Sequence, residues 1–430
     1  MKYLSDLAAG QHDPKQLEDV YQAARRANEE AEFLADLEVC YQASPDNVLY
    51  AAWHYRLQAA PKEARAVNWK LAIPLAIVTG LIYGVLALVN VYGSNQMPFL
   101  FVPWSLIGAC CVIAFLTITA NSPWKQAWPA ILGLIVAGVY VTLLTTLAER
   151  MLYRTLMVLH LPLLAWAATG VSILGWKSDA PNRFAFLGKS VEVFVTGGVF
   201  VIVGGMFAAI TFGLFQALGI NLPAKLQQFL VAGGGGLITV LAVATVYDPR
   251  VSPIAQKVEQ GLGRLIPTMM RMLLVLTLLV LIVYLVVIPF NFMQPFNNRD
   301  ILIVYNIMLF AVMGLLLGVT PMRSEDLPER FHSALRTGIL VVAVLTIVVS
   351  LYAMSATVYR TVIGGLTVNR LTVIGWNTIN TALLIGLVYT QFKNGAAAWI
   401  RSLQSVFSAS AVAYTVWSLF LVVAIPWLFK

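Results

Sequence analysis

The feature that most constrains this chain is a series of apolar blocks, each of about 20 residues, that follows Lys70. A helix needs about 20 apolar residues to cross the roughly 30 Å of hydrocarbon in a bilayer. The strands of a transmembrane barrel would instead alternate apolar and polar residues, and these blocks do not. The blocks number eleven and begin near Leu71, Met97, Trp128, Thr155, Ser190, Phe229, Pro267, Asp300, Leu335, Arg370 and Val406. The pattern predicts an all-α, polytopic membrane protein, with about eleven transmembrane helices bundled over residues 67–430.

The composition excludes a soluble globular protein. Charged residues make up 11% of the chain and hydrophobic residues 59%, whereas a soluble domain has about 25% charged and about 45–50% apolar residues. The net charge of +8 divides into −3 for residues 1–70 and +11 for the rest. The basic residues of the rest stand singly between apolar blocks, which is typical of membrane-flanking charge and unlike a clustered basic face that binds nucleic acid. We therefore expect a lipid bilayer as partner and no nucleic acid.

Residues 1–66 are polar enough to form a separate soluble domain. From Pro14 the apolar residues follow helical spacing, at Leu17, Val20, Tyr21, Ala24, Ala27, Ala31, Leu34 and Leu37. A second helical segment follows, with one face formed by Val48, Ala51, Ala52, Tyr55 and Ala59. The pattern predicts a soluble amphipathic hairpin of two helices over residues 1–66. Such a hairpin buries little apolar area, so we expect it to lean on the membrane domain or on a cytoplasmic protein partner.

Orientation follows from the basic residues in the connections. The first residues lack the apolar core of a signal peptide, so the first span is expected to direct insertion. The side of the N-terminus holds fifteen basic residues, namely Lys62, Arg65, Lys70, Lys125, Lys177, Arg183, Lys189, Arg250, Lys257, Arg264, Arg323, Arg330, Arg336, Lys393 and Arg401. The other side holds seven, namely Arg150, Arg154, Lys225, Arg299, Arg360, Arg370 and Lys430. The positive-inside rule predicts a cytoplasmic N-terminus and, with an odd number of spans, a C-terminus outside.

Two connections on the predicted cytoplasmic side resemble short amphipathic helices in the headgroup layer. In residues 248–267 the apolar side consists of Ile254, Val258, Leu262 and Leu265. In residues 321–336, Ser324 is a candidate N-cap, and Phe331 and Leu335 are apolar anchors. Such helices either cover the end of the bundle and hold their spans in register, or bind anionic lipid or a partner.

The most distinctive stretch runs from Leu351 to Tyr389, LYAMSATVYRTVIGGLTVNRLTVIGWNTINTALLIGLVY. A tyrosine-containing segment precedes Gly-Leu-Thr and then Asn369-Arg370-Leu371, which lead into a span with Trp376. With LVVIPFNFMQPFNNRD between two earlier spans, residues 190–430 resemble the bacterial membrane proteins grouped as domain of unknown function 4153. The resemblance implies a multi-pass protein of the bacterial cytoplasmic (inner) membrane. Because that family lacks a settled activity, it implies no reaction and no functional residues.

Ionisable residues inside apolar blocks are candidate functional residues, because an unpaired charge at membrane depth is costly. Glu192 and Arg271 lie near the cytoplasmic ends of the fifth and seventh blocks. They either snorkel to the headgroups or form an ion pair or a proton-linked site. His160 lies deeper and is followed by Pro162, which frees a helical carbonyl. His160 is thus either a structural hydrogen-bond partner of such a carbonyl or part of a proton relay.

Two uncharged patterns are further candidates. Asn377 and Asn380 share one face of the tenth span, where they either hydrogen-bond between helices or line a solute path. The sixth span contains four successive glycines, Gly233, Gly234, Gly235 and Gly236. They indicate either a close approach between helices or a helix broken near mid-membrane, as in many transporters. The fifth block, Ser190 to Leu218, exceeds the length of one span and is expected to tilt or break.

No signature of catalysis, metal binding or nucleotide binding accompanies these residues. Metalloprotease, nucleophile-elbow and Walker-type motifs are missing, and Cys40, Cys110 and Cys111 form no zinc-binding or disulfide pattern. We therefore expect no catalytic residue, no metal and no cofactor, and rank an embedded enzyme third. The favoured function is transport or permeation of a small solute or lipid-like molecule. The alternative is a non-transporting membrane scaffold or regulator that docks a cytoplasmic partner through residues 1–66.

Overall fold

A computed structural model of the chain describes residues 2–26, 29–58, 67–89, 99–147, 151–256 and 262–429. The chain divides into two compact units, Met1–Ala66 and Val67–Lys430. Every regular element within the described ranges is a helix. Ten helices in these ranges are long and apolar enough to cross a membrane. The protein is therefore an all-α polytopic membrane protein, as the apolar blocks predict.

The first unit has four helices in its described residues, where the spacing predicts a hairpin of two. They are α1 (Leu4–Ala9), α2 (Pro14–Arg26), α3 (Glu30–Ala43) and α4 (Val48–Gln58). The single helix expected from Pro14 is divided into α2 and α3. On one straight helix, Leu17 and Leu37 would stand about 30 Å apart. The division lets both side chains join one buried core with Leu7 and Phe33.

The buried face of α4 differs from the expected one. The spacing predicts Val48 and Tyr55 on the buried face, but their exposed fractions are 82% and 62%. Tyr50 and Trp53 are buried instead. The Trp53 ring packs edge-on against Phe33, with the ring centroids 6.2 Å apart. The face of α4 that turns inward is therefore the one with Tyr50 and Trp53, whose rings bury a large apolar area in the core of the unit.

The second unit has thirteen helices in its described residues. They are α5 (Trp69–Leu88), α6 (Trp104–Thr119), α7 (Trp124–Leu147), α8 (Met151–Leu174), α9 (Ala180–Ala217), α10 (Ala224–Val246), α11 (Leu262–Val287), α12 (Gln294–Asn297), α13 (Arg299–Val319), α14 (Glu329–Gly364), α15 (Val368–Asn394), α16 (Trp399–Val423) and α17 (Ile425–Leu428). Short 3₁₀ turns lie at Phe99–Phe101, Pro253–Ala255, Ile288–Asn291 and Ser324–Asp326.

The second apolar block forms α6, which has only 16 residues. It nevertheless runs antiparallel to α5 along most of the length of that helix. At its start the Trp104 carbonyl accepts a hydrogen bond from the Tyr83 hydroxyl, late in α5. At its end Thr119 Oγ1 accepts from Asn68 Nδ2 at 3.3 Å, just before α5 begins. The block thus returns the chain to the end of the bundle that contains Asn68 and Thr119, which we call the Asn68 end.

The second unit begins and finishes at opposite ends of its bundle. α7 starts a few residues after Thr119 and has 24 residues, about 36 Å, so it leads to the far end. There the Tyr153 hydroxyl, early in α8, donates to the Val422 carbonyl at 2.7 Å, late in α16. We call this the Tyr153 end. The ten long helices and α6 together correspond to the eleven predicted blocks.

Two helices exceed the length of a single span. α9 has 38 residues and α14 has 36, which correspond to about 57 Å and about 54 Å. α9 is unbroken through the fifth block, so the break considered for Ser190 to Leu218 is wrong. α14 begins at Glu329 and contains Phe331 and Leu335, so the second half of the helix predicted over 321–336 is the start of a helix long enough to cross a membrane. The predicted N-cap Ser324 lies instead in the separate 3₁₀ turn Ser324–Asp326, which Arg323 precedes. A long apolar helix gains nothing from a break that would expose its backbone to lipid.

The other predicted interfacial segment is described only in part. Its described residues form the 3₁₀ turn Pro253–Ala255 before the chain resumes as α11. Val258 and several basic residues of the orientation prediction lie outside the described residues, namely Lys62, Arg65, Arg150, Lys257 and Lys430.

Candidate functional site

A cavity of about 680 Å³ lies among α9, α11, α13 and the turn that follows α13. We call it the charged cavity, because five ionisable side chains are among those that line it. They are Lys189, Glu192, Arg271, Arg323 and Asp326. Among the described lining residues, with every group in its usual ionisation state, three positive charges face two negative ones. The cavity lies toward the Asn68 end, since Lys189 and Arg271 are each about 14 Å along helices that start there.

Two glycines bring the walls of the charged cavity close together. A Cβ atom on Gly188 of α9 would lie 2.7 Å from Met322 Cε in the turn after α13. A Cβ atom on Gly318 of α13 would lie 3.2 Å from Met270 Cγ of α11. At these two points the helix backbone therefore packs directly against methionine side chains of neighbouring elements, which would have to shift to admit a larger residue.

Lys189 and Glu192 form an ion pair inside the cavity. Lys189 Nζ donates to Glu192 Oε2 at 2.7 Å, and the two residues are three apart on α9. Lys189 is only 3% exposed. Removing one member of a buried pair leaves an uncompensated charge, which is strongly destabilising. Sequence reasoning missed the role of Lys189, although a lysine three positions before Glu192 is a recognisable signal for such a pair.

Arg271 faces the same cavity without sharing that pair. Glu192 pairs with Lys189, so the Glu192–Arg271 ion pair considered from the sequence does not form. The Nε atom of Arg271 is buried and has no hydrogen-bond partner among the residues that the structure describes. A guanidinium presents five N–H donors in a planar fork suited to phosphate or carboxylate. Arg271 thus has unused cationic hydrogen-bonding capacity in the wall of the cavity.

The turn after α13 adds two further charged residues to the cavity lining, Arg323 and Asp326. Asp326 Oδ2 accepts a hydrogen bond from the backbone N–H of Arg323 at 2.7 Å. The Arg323 Nη2 atom donates to the Ile254 carbonyl at 3.2 Å. Both residues are therefore held by the backbone around them. Neither was singled out from the sequence, because nothing in the chain order indicates that this turn meets α9 and α11.

His160 lies in a different part of the bundle. Its Nε2 atom accepts a hydrogen bond from the Trp376 indole N–H at 3.0 Å. An indole can only donate, so the imidazole proton is on Nδ1, which donates to the Leu156 carbonyl at 2.7 Å. Both nitrogens are satisfied in the neutral ring, which is the arrangement of a structural histidine. The acceptor is the Leu156 carbonyl and not the one that Pro162 frees, which belongs to Val158.

Asn377 and Asn380 are both buried in α15. The Tyr414 hydroxyl of α16 donates to Asn380 Oδ1, so the Asn380 amide does bond between helices. Nearby, Ser350 Oγ and Thr381 Oγ1 are 2.6 Å apart and join α14 to α15. The Nδ2 atoms of both asparagines have no partner within the described chain. Neither asparagine is among the residues that line the charged cavity.

The four glycines of α10 lie within one continuous helix, so the broken helix considered from the sequence does not occur. A Cβ atom on Gly236 would lie 2.7 Å from the Thr79 carbonyl oxygen and 2.8 Å from Gly80 Cα. A Cβ atom on Gly233 would lie 3.2 Å from the Gly80 carbonyl oxygen, whereas one on Gly234 would meet nothing within 4 Å. The glycines therefore mark a close crossing of α5 and α10, and Gly233 and Gly236 make the contact.

The described residues contain no group of three or more His, Cys, Asp or Glu side chains placed to hold a metal ion. No family model matches the chain, and no curated protein or solved structure matches it either. The resemblance of residues 190–430 to domain of unknown function 4153 stays a prediction.

Proposed function

We propose that the protein binds a small anionic solute or lipid-like molecule in the charged cavity and carries it through the membrane. The observation that supports this most directly is Arg271, which lines a cavity of about 680 Å³ and whose buried Nε lacks a partner among the described residues. The Lys189–Glu192 pair neutralises itself, and Asp326 is close enough to Arg271 to act on it electrostatically. Arg271 is the group that we propose selects charge. A phosphate or carboxylate there would satisfy the guanidinium by charge-assisted hydrogen bonds.

This proposal moves the binding site away from the positions expected from the sequence. Gly233 and Gly236 are occupied by the crossing with α5, and Asn380 is occupied by Tyr414. Glu192 and Arg271 both line the charged cavity, although they are not paired with each other. They are the two sequence candidates that the proposal keeps as binding residues, and Lys189 joins them as a positioning residue.

We propose further that the protein resides in a bacterial cytoplasmic membrane with its N-terminus in the cytoplasm. The excess of basic residues on the side of the N-terminus supports this orientation. The charged cavity lies toward the Asn68 end of the bundle, so it would open toward the cytoplasm.

The test uses the full chain purified in detergent and reconstituted in liposomes. Inorganic phosphate and glycerol phosphate serve as anionic probes, in equilibrium binding and in flux measurements. We expect Arg271→Gln to weaken binding at least about tenfold, which is about 1.4 kcal/mol. The matched control is Arg401→Gln, at an exposed arginine of α16 that does not line the cavity. If neither probe nor a lipid phosphate binds, and liposomes with the protein pass no anion, the proposal is wrong.

A second test addresses the path expected from the sequence. Asn377→Leu combined with Asn380→Leu removes both buried amides without changing the charged cavity. If the charged cavity alone holds the ligand, the double variant keeps the binding affinity of the native chain. A reduced flux in that variant would then indicate that the two amides lie on the path of the solute through the membrane. A loss of binding equal to that of Arg271→Gln would place the site at α15 instead.

The alternative function is a membrane scaffold that docks a cytoplasmic partner through residues 1–66. One observation favours it, namely that this part of the chain forms a compact unit with its own core around Leu7, Phe33 and Trp53. Deleting residues 1–60 separates the two functions. Full loss of the cellular phenotype with a stable bundle and unchanged anion binding supports docking, and an unchanged phenotype contradicts it.

A further inference from the structure

We infer that the charged cavity holds the phosphate headgroup of an anionic phospholipid, whose acyl chains lie in the bilayer against the exposed sides of α9 and α11. This inference rests on the proposed function and narrows its ligand to a class. It follows from what lies beyond the cavity along both of these helices.

On α9 the packed part of the helix ends just past the cavity. Thr196, one turn after Glu192, is buried. From residue 198 to residue 217, by contrast, no side chain is buried. Val199 and Val203 follow Glu192 by seven and eleven residues, so they continue its face of the helix. Both are exposed, and Val203 is 60% exposed.

On α11 the helix face that continues beyond the cavity is likewise exposed. Thr268 lines the charged cavity and is itself exposed, so the cavity is not sealed on this side. Met272, Val275 and Leu279 continue the face of Thr268 along the helix. All three are large exposed apolar residues. The cavity is therefore continuous, along both helical walls, with apolar surface that lipid must cover.

The two parts of this surface correspond to the two parts of a phospholipid. Arg271 supplies the cationic donor where a phosphate would lie, and the other charged residues that line the cavity, Lys189, Glu192, Arg323 and Asp326, lie around it. The exposed residues beyond them supply an apolar wall directed into the membrane. A free anion would use only the charged part, whereas a lipid uses both. The charge excess of the cavity lining favours an anionic headgroup over a zwitterionic one.

The experiment compares three probes on the full chain in detergent, namely a short-chain phosphatidic acid, a phosphatidylcholine with the same acyl chains, and glycerol phosphate. Arg271→Gln tests the headgroup site, with Arg401→Gln as its control. Val203→Asn tests the acyl wall. Its matched control is Val136→Asn on α7, which has the same exposed fraction of 60% and does not line the cavity.

We expect phosphatidic acid to bind at least about tenfold more tightly than either other probe. Arg271→Gln should abolish that preference for the acid over the choline lipid. Val203→Asn should weaken the binding of phosphatidic acid several-fold and leave glycerol phosphate unchanged, while Val136→Asn affects neither. Thermal unfolding of each variant verifies that it is folded.

Two outcomes overturn the inference, and they are distinguishable from each other. If glycerol phosphate binds as tightly as phosphatidic acid and Val203→Asn has no effect, the ligand is a soluble anion and the proposed function survives. If no probe binds, or if Arg271→Gln leaves the binding affinity unchanged, the charged cavity is not a ligand site and both proposals are wrong.

Discussion

The indole N–H of Trp376 donates to Nε2 of His160 across 3.0 Å and joins α15 to α8 inside the bundle. The two rings also stack, with centroids 5.9 Å apart and planes inclined by 16°. Phe310 and Tyr414 pack edge-on against the same indole, each with a ring centroid 5.2 Å away. Trp376 thus holds three other helices to α15, and the protonation state of His160 follows from its contact with this tryptophan.

This contact predicts a specific loss of stability. Trp376→Phe keeps most of the apolar area but leaves the buried His160 Nε2 without a donor. We expect a destabilisation of about 1–3 kcal/mol, the usual cost of an unsatisfied buried polar group. Equilibrium unfolding in detergent measures it, with Trp128→Phe, at an exposed tryptophan of α7, as the control. His160→Leu should lower the free energy of unfolding less in the Trp376→Phe variant than in the native chain. If the losses of the two single variants simply add in the double variant, the hydrogen bond is contradicted.

The crossing of α5 and α10 predicts opposite effects for two neighbouring glycines. In Gly236→Ala the new methyl group would lie 2.7 Å from the Thr79 carbonyl oxygen, so the helices must separate. We expect a loss of about 1–3 kcal/mol, typical of overpacking. In Gly234→Ala the methyl group meets nothing within 4 Å, and alanine favours the helix by up to about 1 kcal/mol. Thermal unfolding of both variants checks the difference, and equal melting temperatures would refute the close crossing.

The first unit is predicted to loosen in acid. Hydrogen bonds from Lys2 and Tyr3 hold the pKa of Glu29 below its usual value of 4.5. A carboxyl group whose pKa falls on folding stabilises the fold above its ordinary pKa, and that contribution is lost as the pH falls through the lowered value. Hydrogen exchange in α1 of the full chain, corrected for the intrinsic rate, should therefore rise as the pH falls below 4.5 and through the lowered pKa of Glu29.

Glu29→Gln isolates this effect, because glutamine cannot titrate. We expect the acid-dependent part of the exchange in α1 to shrink in Glu29→Gln and to persist in Glu32→Gln, at an exposed glutamate nearby. An identical acid response in both variants would mean that other carboxyl groups control the loosening.

The proposed orientation predicts the accessibility of two exposed connections. Ser122 follows α6 at the Asn68 end, and Thr367 precedes α15 at the opposite end. In a chain with Cys40, Cys110 and Cys111 replaced, a membrane-impermeant thiol reagent should label Thr367→Cys on intact cells. It should label Ser122→Cys only after the membrane is opened. Labelling of both positions on intact cells would show that α6 does not return the chain to the cytoplasmic side.

Much of the architecture is readable from local composition. The length of an apolar run depends on neighbouring residues alone, and the bilayer selects for it directly. The eleven blocks therefore correspond to ten long helices and α6, although α6 is shorter than expected. The candidate site was harder to predict from the sequence. Glu192 and Arg271 stand out as charges in apolar blocks, and the spacing of Lys189 and Glu192 permits their pair, but nothing in the sequence indicates that these residues line one cavity.

The sequence alone determined that the chain is a helical membrane protein, which residues its spans contain, and which polar groups are costly enough to need an explanation. Only the tertiary structure decided which of these groups meet. It separated α2 from α3, assigned Gly233 and Gly236 to a helix crossing, and placed Arg271 in a cavity with Lys189 and Glu192. The reason is that burial in lipid is set by each segment separately, whereas the partner of a side chain depends on helices that are distant in the chain.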